Sequence, residues 1–370
     1  MNRTQSFPDE KKVRILILCF WAHGSCYYTV KYCNALAARG MEVHLVAPGN
    51  FMYDLLSPQI KCEQWPYDAP EKLTLRALLK TPFQALRVIG LVRSVRPDWI
   101  HLLWPHHVPI FLGWLLKQHN FAYTVHDPVL HSGESGNLRS FVQKKLIYLA
   151  DICFVHGQKN KRDLEKGYGV SPERVFSIPH GAFRFWNDLP NVQKENMVLF
   201  FGRIRQYKGF DVLLEAFEIV TREIPSLRLC ICGKGNMDAL WPRIKTLSNV
   251  EVVNRFIEHD EIPEFFLRSM FLVLPYTEAT QSGVIPMAFA LGRTCIATKV
   301  GAIPEVVRHG ENGILVRPSD PDELAGAILS LAQDKKELMR LQENAQRSAD
   351  LSGALSWDRA AEIAAGVYTA

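Results

Sequence analysis

Short apolar runs alternate with stretches of helical periodicity along this 370-residue chain, and the whole alternation occurs twice. The first series has runs at 13–20, 42–47, 99–103, 121–125 and 152–155. A helical stretch over 28–39 falls between the first two, with Gly40 placed to end it. Residues 183–195 are polar, contain proline and lack apolar periodicity. The pattern then restarts, with runs at 197–201, 227–231, 250–253, 270–274 and 294–297. Strands this short and this apolar belong in parallel sheets covered by helices on both faces. The expected fold class is therefore α/β, with two consecutive doubly wound domains over 1–182 and 196–350 joined by a linker at 183–195. Residues 351–370 read as a last helix, separated near Ser352-Gly353 from the one before it, that packs back on the first domain. A chain of this length exceeds one ordinary core, which agrees. In such sheets ligands sit beyond the carboxyl ends of strands, so chemistry is expected at strand tips facing the interdomain cleft.

Composition narrows the class further. Apolar content of 48% and charge of 22% are those of a soluble globular protein. No apolar run approaches the ~18 residues of a spanning helix, and residues 1–12 lack a signal-like apolar core. A cytoplasmic protein is expected. The eight cysteines show no zinc spacing and read as reduced thiols, so no metal site is expected. Charge is uneven: 23 Lys and Arg against 15 Asp and Glu give +8 over residues 1–190, while 20 against 23 give −3 over 191–370. A basic first half implies an anionic partner, either a phosphorylated substrate or an anionic membrane surface. Nucleic acid is set aside, because no recognition motif for it is present. Segment 73–96 mixes Arg76, Lys80, Arg87, Arg93 and Arg96 with apolar residues and could hold the protein peripherally on the inner membrane face. Thr81-Pro82 is expected to split that segment in two.

Four strand-end segments carry the chemistry. The run 197–201 ends in Gly202-Arg203, with Lys208-Gly209 following. A guanidinium fork and an ammonium near a helix start suit a diphosphate. Gly233-Lys234-Gly235 follows the next strand, and Glu278 to Val284 follows the run 270–274. There Ser282, Gly283 and Val284 would offer backbone N–H groups, and Glu278 would reach sugar hydroxyls. The fourth segment holds Gly301, Pro304-Glu305-Val306-Val307, Gly310 and Asn312-Gly313.

Taken together and in order, these segments resemble the C-terminal domain of the family 4 glycosyltransferases of GT-B fold. Asn254-Arg255-Phe256-Ile257 and Ala288-Phe289-Ala290-Leu291-Gly292 extend the match, and a looser likeness covers about residues 13–330. The resemblance implies that Arg203 and Lys208 bind the nucleotide diphosphate, that Phe256-Ile257 line the base, and that Glu278 faces the donor sugar. Ser282, Gly283 and Val284 would touch phosphate or ribose, with Gly233 in the neighbouring turn. In the first domain, Trp21-Ala22-His23-Gly24-Ser25 stands where the family has a glycine-rich loop, which makes Gly24 a donor-side candidate. His126, in Thr124-Val125-His126-Asp127, matches the strand-end histidine near the sugar's reactive carbon. His101, His106, His107, His131 and His156 are weaker candidates, and His180-Gly181 resembles the interdomain hinge.

One departure stands out. The second Glu of the family's Glu-x7-Glu signature is replaced by Pro286 or, in the other register, Met287. Ribose binding then falls to Thr280, Gln281 or Ser282. The resemblance implies a retaining, metal-independent glycosyltransferase without cofactor. Its donor is a nucleotide-diphosphate sugar, and its acceptor a saccharide or lipid-linked saccharide in polysaccharide or glycolipid synthesis. A non-catalytic partner subunit and a sugar-nucleotide epimerase remain as alternatives.

Overall fold

A computed structural model describes residues 12–21, 24–66, 75–129, 137–183, 186, 188–350 and 353–370. The first series runs β1 (Arg14–Leu18), α1 (Gly24–Ala38), β2 (Glu42–Pro48), β3 (Lys61–Trp65), α2 (Leu75–Val95), β4 (Trp99–Leu102), α3 (Val108–Phe111), α4 (Gly113–Leu116), β5 (Asn120–Thr124), α5 (Asn137–Leu149), β6 (Ile152–Val155), α6 (Gln158–Tyr168) and β7 (Val175–Ser177). The second runs β8 (Met197–Phe201), α7 (Phe210–Glu223), β9 (Arg228–Cys232), α8 (Trp241–Ile244), β10 (Val250–Val253), α9 (Ile262–Arg268), β11 (Phe271–Leu274), α10 (Val284–Ala290), β12 (Cys295–Thr298), α11 (Ile303–Val306), β13 (Ile314–Val316), α12 (Pro321–Gln333), α13 (Lys335–Ser348) and α14 (Trp357–Thr369).

The sheets are ordered β3-β2-β1-β4-β5-β6-β7 and β10-β9-β8-β11-β12-β13. Pairings around β1 and β8 are parallel. Both sheets therefore carry the doubly wound order, and the chain forms two Rossmann-like α/β domains. The reason is visible in the central strands: Ile15, Ile17, Leu18, Val198, Leu199 and Phe200 show 1% exposure or less. Strands buried on both faces must be apolar throughout, and each such side chain contributes about 1.5–3 kcal/mol.

By compactness the chain separates into one unit of 1–125, 141–154 and 361–370 and another of 126–140 and 155–360. Residues 126–140 and 155–182 group with the second unit by compactness, although β7 completes the first sheet. In the first unit, the Tyr368 hydroxyl near the end of α14 lies 2.6 Å from His101 Nδ1 and 3.1 Å from the Tyr32 hydroxyl. Trp99 Nε1 donates to the Tyr368 carbonyl at 3.0 Å. Burial pushes the Tyr32 and Tyr368 hydroxyls well above their ordinary range.

The helix α2 corrects the sequence reading. It runs unbroken through Pro82. A proline inside a helix costs about 3 kcal/mol, and burial of Val88 and Val92 on one face helps to offset it. Among the described residues, no helix is long and apolar enough to cross a membrane. All eight cysteines are free, and only Cys62 is exposed. Of the sequence candidates, residues 1–11, Ala22, His23, residues 73 and 74, His131, linker residues 184, 185 and 187, and Ser352 lie outside the described residues.

Candidate functional site

In the second sheet the strand order reverses between β8 and β11, so ligand chemistry is expected beyond their carboxyl ends. The loops there are 202–209 and 275–283, which hold Arg203, Lys208, Glu278 and Gln281 to Gly283. They are tied to each other. Tyr207 O accepts from Thr277 N at 2.9 Å, from Glu278 N at 3.5 Å and from Thr277 Oγ1 at 3.2 Å. Gly209 is left-handed at φ +71°, and a Cβ there would stand 1.9 Å from Pro275 O. Glycine at 209 therefore lets one loop rest on the backbone of the other.

The cations occupy the face this creates. Lys208 Nζ lies 3.5 Å from the Tyr276 ring centre and 5.0 Å from that of Tyr207. Such cation–π contacts hold an ammonium while leaving its positive field intact. Arg203 is exposed at the same turn. Gly202 packs within 3.7 Å of a Val284 methyl, measured from a built Cβ, which brings the first loop against the start of α10. Gly233 closes the turn on the other side, where a Cβ would lie 2.0 Å from Gly202 O. Beside it, Asn254 grips Gly235 through both backbone groups, at 3.0 and 3.1 Å. Arg255 holds Glu261 at 2.7 and 2.5 Å and bonds Phe256 O, fixing the next segment. Hydrogen bonding to Arg255 keeps the Glu261 carboxyl down at about 2. In that segment Phe256 is exposed and Ile257 buried, so only the phenyl ring is offered to solvent.

The second unit also holds His126, in the turn after β5. The adjoining Asp127 Oδ1 accepts a hydrogen bond from Thr280 Oγ1, which joins that turn to the Glu278 loop. Asn160, fully buried, donates to His156 O at 2.7 Å and Thr280 O at 3.2 Å. Ala302 N also donates to Thr280 O, at 3.0 Å. Glu305 caps α6 by accepting from Gln158 N at 2.6 Å and Lys159 N at 2.7 Å. The bond between Asp127 and Thr280 could not be read locally, since the two are 153 positions apart.

The histidines form a row. Ring centres of His126 and His156 are 5.1 Å apart, and those of His156 and His180 are also 5.1 Å apart. His180 lies against Gly283, whose built Cβ would meet its ring at 3.4 Å. Trp357 fixes this hinge by donating from Nε1 to Ala182 O at 2.8 Å. Burial holds His180 down to about 4 and His156 well below its ordinary value, where neighbouring His180 and His126 add to the effect. His101 bonds Thr124 Oγ1 at 2.8 Å inside the first sheet, and His107 bonds Thr81 Oγ1 at 3.1 Å. Gly24 opens α1 in the first unit.

A pH dependence follows from His156 and His180. Both are neutral in the fold, whereas the unfolded chain protonates them below about pH 6.5. Their contribution is complete above that pH and is lost as pH falls toward about 4, because the unfolded state then binds more protons. Melting temperature should fall more steeply between about pH 7 and about pH 4.5 than it does in His180→Gln. Parallel curves for the two proteins would remove His180 from this account.

The absent carboxylate leaves a clear trace. Pro286 and Met287 are both buried in α10, so neither offers a polar group. Thr280 is committed to Asp127, and Ser282 lies beside the Tyr276 hydroxyl, which burial raises and Ser282 lowers. Gln281 Oε1 and Ser282 Oγ are both buried with no hydrogen-bond partner among the described residues. Among those residues, no three His, Cys, Asp or Glu side chains are grouped to hold a metal ion.

Comparison with known proteins places the chain among glycosyltransferases. Residues 23–182 match the model described as Glycosyltransferase Family 4, and residues 195–334 match Glycosyl transferases group 1. A D-inositol 3-phosphate glycosyltransferase of Streptomyces bingchenggensis is 27% identical over 393 aligned positions, covering 94% of this chain and 84% of that protein. Sucrose-phosphate synthase from Thermosynechococcus elongatus superposes with TM-score 0.73 at 21% identity, covering 97% of this chain and 98% of that one. The Anabaena protein HepE, solved with UDP and glucose, gives TM-score 0.73 at 18% identity over 97% of this chain and all of its own.

Proposed function

The chain belongs to the family 4 glycosyltransferases of GT-B fold, and on that premise we propose that it transfers a sugar from a nucleotide-diphosphate donor to a hydroxyl acceptor, with retention and without a metal ion. The carrying observation is the pair of interlocked loops at the β8/β11 reversal, which bring Arg203, Lys208 and Glu278 to one end of the sheet. Leaving-group departure builds negative charge on the diphosphate. Two cations and the backbone N–H groups of 282–284 would stabilise it, and preorganised donors of this kind act without reorganisation in the transition state. Glu278 would accept from hydroxyls of the donor sugar, and His126 would face the carbon under attack. The acceptor hydroxyl attacks from the side the diphosphate leaves and gives its proton to the departing diphosphate oxygen, so no enzyme nucleophile is assigned. The acceptor is a saccharide or lipid-linked saccharide of polysaccharide or glycolipid synthesis.

For the missing carboxylate, Gln281 is the replacement we favour over Ser282, because its side chain has the longer reach. An unpartnered buried acceptor costs about 1–3 kcal/mol, which a donor hydroxyl would relieve. A thermal-shift panel of UDP-, GDP-, ADP- and TDP-sugars, with and without Mg²⁺, tests both points. One nucleotide class should stabilise the chain by about 2.7 kcal/mol at 100 times its dissociation constant, with no need of metal. Gln281→Ala should need about tenfold more donor for the same shift. A shift seen only with Mg²⁺ would overturn metal independence. If no donor shifted the melt, a partner subunit without chemistry would be the better reading, in line with the apolar Pro286 and Met287.

A further inference from the structure

The first unit presents an apolar and basic face that the transfer reaction does not use. On α2 the usual order is inverted: Thr81 and Gln84 are buried, while Leu79, Phe83 and Leu86 are 65–70% exposed. The spacing of the exposed three puts them on one side of the helix. Helix α2 packs on α3, where Thr81 Oγ1 meets His107 Nε2 at 3.1 Å just before its first residue. Phe111 of α3 and Trp114 of α4 are also more than half exposed. Helix α4 meets α5, since a Cβ on Gly113 would stand 3.4 Å from the Leu149 side chain. On α5 the exposed stripe is Phe141, Lys144, Lys145 and Tyr148, with the Lys145 ammonium 5.6 Å from the Phe141 ring centre. Seven of the twelve large apolar side chains exposed among the described residues lie on these adjoining helices.

Charge decides what would cover them. Residues 73–97, 99–126 and 137–150 contain no Asp or Glu at all. Lys80, Arg93, Lys117, Lys144 and Lys145 are exposed there, whereas Arg87 is held by Glu63 and Gln64 O. A protein partner would call for complementary carboxylates at fixed points. Aromatic and leucyl side chains mixed with lysine and arginine, with no acidic residue, suit a diffuse anionic surface that apolar groups can enter. We infer that α2, α3, α4 and α5 form a docking face for a bilayer containing anionic lipid. The apolar side chains enter the headgroup boundary, and the cations meet lipid phosphates.

Co-sedimentation of the full chain with vesicles tests this. Vesicles of phosphatidylcholine with about a third phosphatidylglycerol should bind the protein, and raised salt should release it. Phosphatidylcholine alone should bind far less. Lys144→Ala with Lys145→Ala should weaken partitioning about 25-fold, on the basis of about fivefold for each charge. Phe83→Ser with Leu86→Ser should weaken it at least tenfold. These positions are exposed, so melting temperature and the donor-induced thermal shift should stay unchanged, which keeps docking separate from transfer. Absence of binding to the anionic vesicles, or equal binding to neutral ones, would overturn the inference. So would full binding by either variant.

Discussion

Arg203→Ala should lower turnover of the preferred donor by about 10²–10³-fold while leaving the melting temperature near that of the unaltered chain. The side chain is exposed, so its removal opens no cavity. What it removes is a cation at the turn after β8, where the proposed reaction would gather charge on the departing diphosphate. Lys208→Ala should cost a similar factor, with a small loss of stability as well, because its ammonium also rests on Tyr276. The double variant should fall well short of the product of the two, since both groups serve one diphosphate. Steady-state rates at saturating donor check this. Near-full activity in either single variant would dissociate that residue from the reaction.

Gly209→Ala should be among the most damaging single-methyl changes in the second unit. Its φ of +71° disfavours any side chain, and the added carbon would stand 1.9 Å from Pro275 O. The first effect costs about 1–2 kcal/mol. The second cannot be relieved by a rotamer, because the obstacle is backbone, so the two loops must part. Gly310 supplies the control: its φ is +72°, yet nothing lies within 4 Å of a built Cβ. Gly310→Ala should show the conformational cost alone, with activity kept. Gly209→Ala should melt several degrees lower still and lose at least 10²-fold in turnover, because Lys208 and the Glu278 loop lose their common register. Equal melting temperatures and equal rates for the two variants would show that the close approach to Pro275 does not matter.

Legibility in the sequence followed burial. Strands β6 and β8 were visible to the residue, because an unbroken apolar run survives wherever both faces of a strand are covered or nearly so. β3 was missed because Lys61, Cys62 and Gln64 of this edge strand are exposed. β7 and β13 span three residues each, too few for any period to show. The cations at 203 and 208 stood out since strand tips and glycines are local signals. The network that seats the Glu278 loop did not. Asn160 and Thr280 look like ordinary polar residues until the chain brings them together across 120 positions. Likewise His180, read as part of a hinge, lies against Gly283 of the 275–283 loop.

The anchoring of Tyr368 against His101 and Tyr32 has a consequence for biosynthesis. The first unit is not a continuous stretch of chain, for its core includes residues 361–370, made only after the whole second unit. While the ribosome is still translating the second sheet, the polar atoms of Tyr32 and His101 await their partner. The usual order of domain completion, N-terminal first, is therefore reversed here. The second unit can close on residues already synthesised, and the first is sealed last.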